Sequence, residues 1–371
     1  MVPPLARMKR FLRRLPQVVP ALLALGFGAY VMRSADLGRV ASLVRALGWQ
    51  LPLLVLPPLA VTLLEAVAWW HSFSLLGVRP PFASLVRVRL STEAIMLALP
   101  WGPFVSESLQ PVLLKRRCGV PLETAVVASV GRKFFVVVSH GIVLALVTLV
   151  AWPALEAASP SAIGRGGLPW LLLGAAAFMI ATFGVAIAAA ARAQAAERVH
   201  RSLQRLLGRW MGGWLQRHAS GFERTDQQLL RFFEKERGGL ALPLAIYAAA
   251  WLVRGLETLL YLRLLGVDVS ASVATVLETA VVTVRSVALP VPAGLGVQDA
   301  AYVLGLQGLG VPGAVTIGTA LVLLKRGRDL IWATAGFLLL NLGERGHPLT
   351  EAATGRAAAA EDAAGGVAEA P

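Results

Sequence analysis

Apolar residues in this chain fall into long blocks separated by short polar interruptions. The stretches that carry no charge are residues 15–32, 46–64, 134–155, 166–191, 238–253 and 300–324. A helix that crosses a bilayer needs about 20 largely apolar residues. Most of these runs reach that length, and the run from 238 is extended by the apolar stretch around Arg254 and Glu257. The first run follows a basic cluster, as in a signal peptide, but Met32-Arg33-Ser34-Ala35 is a poor cleavage site, so an uncleaved first span is expected. The segment from Arg79 to Arg117 is apolar in its middle but broken by Leu99-Pro100, Gly102 and Pro103. That break predicts two half-length helices forming a hairpin; two full crossings would give the same parity.

The second half repeats the first in outline. Leu64-Glu65, Leu76-Gly77-Val78, Leu99-Pro100 and Gly119-Val120-Pro121 find counterparts in Leu256-Glu257, Leu265-Gly266-Val267, Leu289-Pro290 and Gly310-Val311-Pro312. Gly77 to Pro100 is 23 residues and Gly266 to Pro290 is 24; Pro100 to Pro121 is 21 and Pro290 to Pro312 is 22. An acid precedes the last proline in each, Glu107 by 14 residues and Asp299 by 13. Four strings in order at matching spacing point to duplication.

Charge gives the copies a direction. Of 371 residues 56% are hydrophobic and 15% charged, which excludes an ordinary soluble enzyme. The net charge of +14 is concentrated beside the apolar runs: Arg7, Lys9, Arg10, Arg13 and Arg14 at the start, and ten basic residues between Arg192 and Arg237. Both clusters read as cytoplasmic flanks under the positive-inside rule. No recognition module for nucleic acid is visible, so no nucleic-acid partner is expected. Arg79, Arg87 and Arg89 at one end of the first hairpin, and Lys115, Arg116 and Arg117 at the other, read as cytoplasmic too. The equivalent turns of the second copy carry only Asp268 and the uncharged Gly305–Gly310, so the repeats are expected to be inverted. The predicted fold is an all-α polytopic membrane protein, an inverted internal repeat with about six long spans and two re-entrant or broken-helix hairpins, both termini cytoplasmic. Its segments are an N-terminal basic flank and first span (1–48), membrane repeat one (49–151), a connecting span (152–191), a basic amphipathic cytoplasmic linker (192–239), membrane repeat two (240–345) and a disordered tail (346–371). In the linker Arg198, Arg201, Arg205 and Arg209 oppose Leu203, Leu206, Leu207, Trp210 and Trp214. That spacing fits a helix on anionic inner-leaflet lipid; a solvated connection between the halves fits equally.

Ionisable residues inside spans are candidates for function by default. They are Glu65, Glu93, Glu107, Arg132, Lys133, Arg254, Glu257, Glu278, Arg285, Asp299, Lys325, Arg326, Arg328 and Asp329. Local structural pairing is the plain alternative: Lys325 with Asp329 four residues on, Arg254 with Glu257 three on. The string LPVPAGLGVQDAAYVL, residues 289–304, breaks regular helix, leaving backbone groups free for a polar ligand, with Gln298 and Asp299 beside it. As a turn between packed helices the same string would be structural. Among the binding candidates Glu107, Gln298, Asp299, Arg132, Arg326, Arg328, Glu93 and Glu278, the arginines suit a phosphate and Gln298, Asp299 and Glu107 a polyol. The five histidines show no HExxH spacing, one cysteine (Cys118) makes no metal site, and no P-loop or Rossmann fingerprint occurs. No cofactor, metal or enzymatic activity is therefore expected.

LPVPAGLGVQDAAYVLGLQGLGVPGAVTIGTALVLLKRGRDLIW resembles the flippase-like family that includes the membrane region of lysylphosphatidylglycerol synthases. GLGVQDAAYVL and LLKRGRDLIW are most similar to its hopanoid-biosynthesis-associated members, and STEAIMLALPWGPFVSESLQPVLLKRRCGVPLETAVVASVGRK resembles the family's upstream block. Together these strings cover most of residues 50–345. The family pattern usually has glutamate after Gly-Val-Gln; here Asp299 is one methylene shorter. The resemblance implies a lipid-translocating unit of the bacterial inner membrane without the soluble aminoacyl-transferase domain, with a hopanoid or a phospholipid as cargo. A membrane scaffold for lipid-biosynthetic enzymes is the alternative.

Overall fold

The computed structural model describes residues 35–99, 101–192, 219–235, 237–287 and 291–342. The predicted first span, the arginine-leucine stretch between 193 and 218, the tail from 346 and the hinge prolines Pro100 and Pro290 lie outside the described residues. Among the described residues all regular structure is helical. Helix α1 (Leu37–Ala46) leads through a 3-10 stretch (Gly48–Val55) into α2 (Leu56–Leu75), followed by α3 (Phe82–Ala98), α4 (Gly102–Cys118) and α5 (Leu122–Val150). Helices α6 (Trp152–Ile163) and α7 (Leu168–Arg192) connect to α8 (Ala219–Leu230). The second half comprises α9 (Ala241–Leu264), α10 (Ala271–Val287), α11 (Val297–Gly308) and α12 (Ala314–Leu342).

Among the described residues four stretches are long and apolar enough to cross a membrane: Gly48–Leu75, Leu122–Val150, Leu168–Val185 and Gly238–Leu264. The chain is a multi-pass membrane protein. Helix α12, with 29 residues, has the length of a span but carries Lys325, Arg326, Arg328 and Asp329 near its middle. At 1.5 Å per residue α3 and α4 are each about 25 Å long, short of the roughly 30 Å hydrocarbon core.

Both predicted breaks are present as left-handed backbone. Trp101 (φ 57°) turns α3 into α4, and a Cβ on Gly102 would lie 2.2 Å from the Met96 carbonyl oxygen, so only glycine fits there. Between α10 and α11, Ala293 (φ 49°), Gly294 and Gly296 all have positive φ.

The two halves interlock. Helix α2 packs on α9, α3 on α12, and α10 on α5, so each broken hairpin is held by long helices of the other half. Close approach depends on glycine: a Cβ on Gly336 of α12 would sit 2.3 Å from the Leu90 carbonyl oxygen of α3, and one on Gly255 of α9 would sit 2.1 Å from Thr275 Oγ1 of α10. The Ser91 hydroxyl donates to the Gly336 carbonyl (3.3 Å) and the Trp332 indole to Thr62 Oγ1 (3.2 Å), fixing rotation about these contacts. The Arg117 guanidinium donates to the carbonyls of Leu339 (3.1 Å) and Leu340, placing a cation at the C-terminal end of α12 where the helix dipole favours it. The described part of the linker does not stand off in solvent: α8 lies on α5, and the following Phe232 is fully buried against Phe135 and Gly131.

Gly336→Ala is expected to destabilise by about 1–3 kcal/mol, because the new methyl meets backbone that cannot yield. Gly174→Ala, where the added Cβ meets nothing within 4 Å, is expected to leave stability unchanged or slightly raised. Thermal unfolding of the two purified variants in detergent checks this, and equal melting temperatures would contradict it.

Candidate functional site

Helix α9 carries Arg254 and Glu257 on adjacent turns, and each turns to a different half of the protein. Arg254 Nη2 donates to Glu65 Oε1 on α2 (2.8 Å). Glu65 Oε2 also accepts from Arg89 of α3, from Nε at 2.8 Å and Nη2 at 2.6 Å, and Arg89 pairs with Glu93 at 3.1 Å. Further along the same half, Glu107 of α4 accepts from Arg132 (2.9 Å) and Lys133 (3.2 Å) of α5, while the Arg132 guanidinium lies over the Trp69 ring at 5.6 Å.

Glu257 faces the second half. It accepts from Arg328 of α12 (2.5 Å) and lies 3.9 Å from Lys325 Nζ. Lys325 is buried (2% exposed), between the rings of Tyr261 (5.5 Å) and Tyr302 (5.2 Å), and donates to Glu278 of α10 at 2.9 Å. Glu278 Oε2 accepts two further bonds, from the hydroxyls of Thr258 and Tyr302, each 2.6 Å. Arg328 also pairs with Asp329 (2.6 Å), and Arg326 with Asp299 of α11 (2.5 Å).

Asp299 has two structural tasks. Its Oδ2 accepts the Gly296 N–H (2.9 Å), capping α11, while Oδ1 holds Arg326. Arg326 in turn donates to the Ala293 carbonyl (3.0 Å), so the broken segment before α11 is stitched to α12 from both ends. This satisfies backbone that a lipid environment would leave unpaired.

Two contacts are made twice, and equivalent residues keep a nearly constant spacing. Glu65 and Glu257, Trp69 and Tyr261, and Glu107 and Asp299 are each 192 residues apart; Arg132 and Lys325, and Lys133 and Arg326, are each 193 apart. In both halves a cation of the long fourth helix lies over an aromatic ring of the first. The basic residue next to it holds the acid of the hairpin's second limb. The halves differ in access: the side chains of Glu107 and Lys133 are 29% and 44% exposed, while Asp299 and Arg326 at the matching positions are 11% and 19% exposed.

The structure therefore brings Glu107 and Arg132 together in one cluster, with Glu93 beside Arg89 and Glu65, and gathers Glu278, Asp299, Arg326 and Arg328 in the other. Gln298 is buried beside Asp299, and its side-chain oxygen has no hydrogen-bond partner among the described residues, as is true of Glu257 Oε2 and Gln110 Oε1. The expected local pairs give way to longer-range ones: Arg254 reaches Glu65 rather than Glu257, and Lys325 reaches Glu278 and Glu257 rather than Asp329. Helix crossing decides this, because acids on neighbouring helices approach these cations inside the bundle. Arg89, read from sequence as a cytoplasmic flank, is buried and paired with Glu65; its four-residue spacing to Glu93 was the available signal. Thr258 and Tyr302 gave none. His140 stacks on Trp251 (ring centroids 4.1 Å) with Nε2 2.9 Å from the Thr279 carbonyl, a packing role. Among the described residues no group of three or more His, Cys, Asp or Glu could hold a metal ion.

Lys325→Met is expected to destabilise by about 3–5 kcal/mol by leaving Glu278 and Glu257 without their shared cation. Adding Glu278→Gln should recover part of that loss, since the uncompensated charge is removed. Melting temperatures of the two single variants and the double variant form the test, and strictly additive losses would refute the coupling.

No curated protein and no solved structure matches the chain. The family described as the lysylphosphatidylglycerol synthase TM region matches residues 17–331, a stretch that holds both ion clusters and both broken hairpins. The chain belongs to the family of lysylphosphatidylglycerol synthase transmembrane regions.

Proposed function

We propose that this protein moves a polar-headed lipid between the leaflets of the bacterial inner membrane, without itself catalysing a covalent reaction. One observation carries the reading: a belt of paired charges runs through the helix bundle and meets a broken hairpin in each half. Charges at that depth are expensive, and a buried ion network is weak evidence for stability, so a polar cargo is the better account of them.

In this reading the halves are inverted copies, with Arg79 and Lys115–Arg117 on the cytoplasmic side and both termini cytoplasmic. A headgroup entering between them exchanges into existing pairs. A phosphate takes over Arg132, Arg326 or Arg328 from its carboxylate, while hydroxyls donate to Gln298, Asp299 or Glu107. The arginine exchange replaces one charge-assisted bond by another, and a Glu107 or Asp299 carboxylate so released accepts from the headgroup hydroxyls, which keeps the barrier low. The Gln298 side-chain oxygen, without a partner among the described residues, favours a headgroup rich in donors. A hopanoid polyol and a phosphoglycerol headgroup both fit that description. Anionic lipid at the basic linker and docked lipid-biosynthetic enzymes are the further partners in this reading.

Translocation in proteoliposomes, followed with headgroup-labelled lipid and a leaflet-specific quencher, tests it. Asp299→Asn and Glu107→Gln are each expected to slow exchange about tenfold or more, equivalent to roughly 1.4 kcal/mol on the barrier, while eluting as folded protein. Exchange no faster than in protein-free vesicles, across hopanoid and phospholipid probes, would favour the scaffold for lipid-biosynthetic enzymes instead.

A further inference from the structure

Helix α11 has two unlike faces. Gln298, Asp299 and Tyr302 turn inward to the ion cluster, whereas Val297, Ala300, Ala301, Leu304, Gly305 and Gly308 repeat at three- and four-residue steps on the other side. That second face forms one wall of a cavity of about 750 Å³, closed by α6, α7 and α10 through side chains such as Leu155, Leu172 and Val276. Its named walls are apolar throughout, and its rim includes Leu304 (60% exposed) and Val284 (47% exposed), so it opens sideways where lipid tails lie.

We infer that this cavity holds the hydrocarbon body of one membrane lipid whose polar end reaches the break before α11. Three observations support that occupant. An apolar cavity at membrane depth has no polar partner for water, so hydrocarbon is the solvent that fills it. The small residues Ala300, Ala301, Gly305 and Gly308 bare the floor along α11, whose 12 residues run about 18 Å, a length suited to an extended chain or a flat ring system rather than to a side chain. The upper end of the cavity is also the edge of the charged site: Gly296 lines it, and the Gly296 N–H is the group Asp299 accepts from. A single amphiphile therefore satisfies both sides of α11 at once, tail on the alanine face and head at Gln298, Asp299 and Arg326. The inference rests on the lipid-translocation reading for its headgroup end; the cavity and its apolar walls stand independently of transport.

The test uses the full chain in nanodiscs doped with a diacyl phosphatidylglycerol that carries a diazirine midway along one acyl chain, and in a parallel arm with a diazirine-bearing fused-ring triterpenol. After irradiation, adducts are mapped by peptide mass spectrometry. Adducts from either probe concentrated on the Ala300–Leu304 face of α11 and the facing residues of α6 and α10 are expected, and the arm that labels them identifies the hydrocarbon. Ala301→Phe, which fills the cavity, is expected to cut those adducts about tenfold while leaving labelling at the outward Phe178 of α7 unchanged. The wild-type map stands alone should that variant fold poorly. Labelling no denser in the cavity than at Phe178 would overturn the inference. So would a photoreactive phenylalanine analogue at position 301 that crosslinks to another part of the chain or to a second copy instead of to lipid. Cavity adducts without translocation would sink the transport reading alone; translocation with an unlabelled cavity would sink this one alone.

Discussion

The fold rests on the requirement that charge inside a bilayer be matched by opposite charge. Arg89, Arg132, Arg254, Lys325, Arg326 and Arg328 all pair with carboxylates from other helices. Most of these pairs join helices that also pack closely. Helix α9 is the hub because Arg254 and Glu257, one turn apart, reach opposite halves of the protein. Water cannot compensate a charge that loses its partner here, so the network is cooperative: moving α9 disturbs both clusters together.

The hairpins show how broken backbone is tolerated at such depth. Asp299 and Arg326 take up the Gly296 N–H and the Ala293 carbonyl before α11, and the turn at Trp101 and Gly102 closes on the Met96 carbonyl region of α3. Short helices that do not reach across the hydrocarbon core are then held by full-length helices of the other half, α3 by α12 through a contact at Gly336 too close for any side chain, and α10 by α5. Rigid contact and irregular backbone sit side by side, and the Gln298 side-chain oxygen next to the second break has no hydrogen-bond partner among the described residues.

Access is uneven between the two halves. Glu107 and Lys133 are partly open, while Asp299 and Arg326 at the matching positions along the chain are more covered. The charged site of the first half is thus the more open of the two. An apolar cavity lies against the more covered one, separated from it by the thickness of α11. Polar and apolar surfaces share one short helix, the geometry on which the proposed amphiphile site rests.

Much of this was legible in the sequence for a definite reason: a membrane leaves few ways to satisfy backbone and charge. The long uncharged runs 46–64, 134–155, 166–191 and 238–253 marked helices, proline and glycine gave both breaks, and rare ionisable residues marked the candidate site. Their pairing was not legible. Lys325 with Asp329 and Arg254 with Glu257 are neighbours on a helix, but the partners actually used lie on other helices, and Arg89 looked like a flank until α2 brought Glu65 against it. Nor did the sequence show the cavity beside α11, since Ala300, Ala301 and Gly305 read as ordinary packing residues. By itself the sequence determined the helical membrane fold, its breaks and its inventory of buried charge, because those follow from local composition and periodicity. Which charge meets which, and where space is left for a ligand, the tertiary structure alone decided, because both depend on how helices distant in the chain cross.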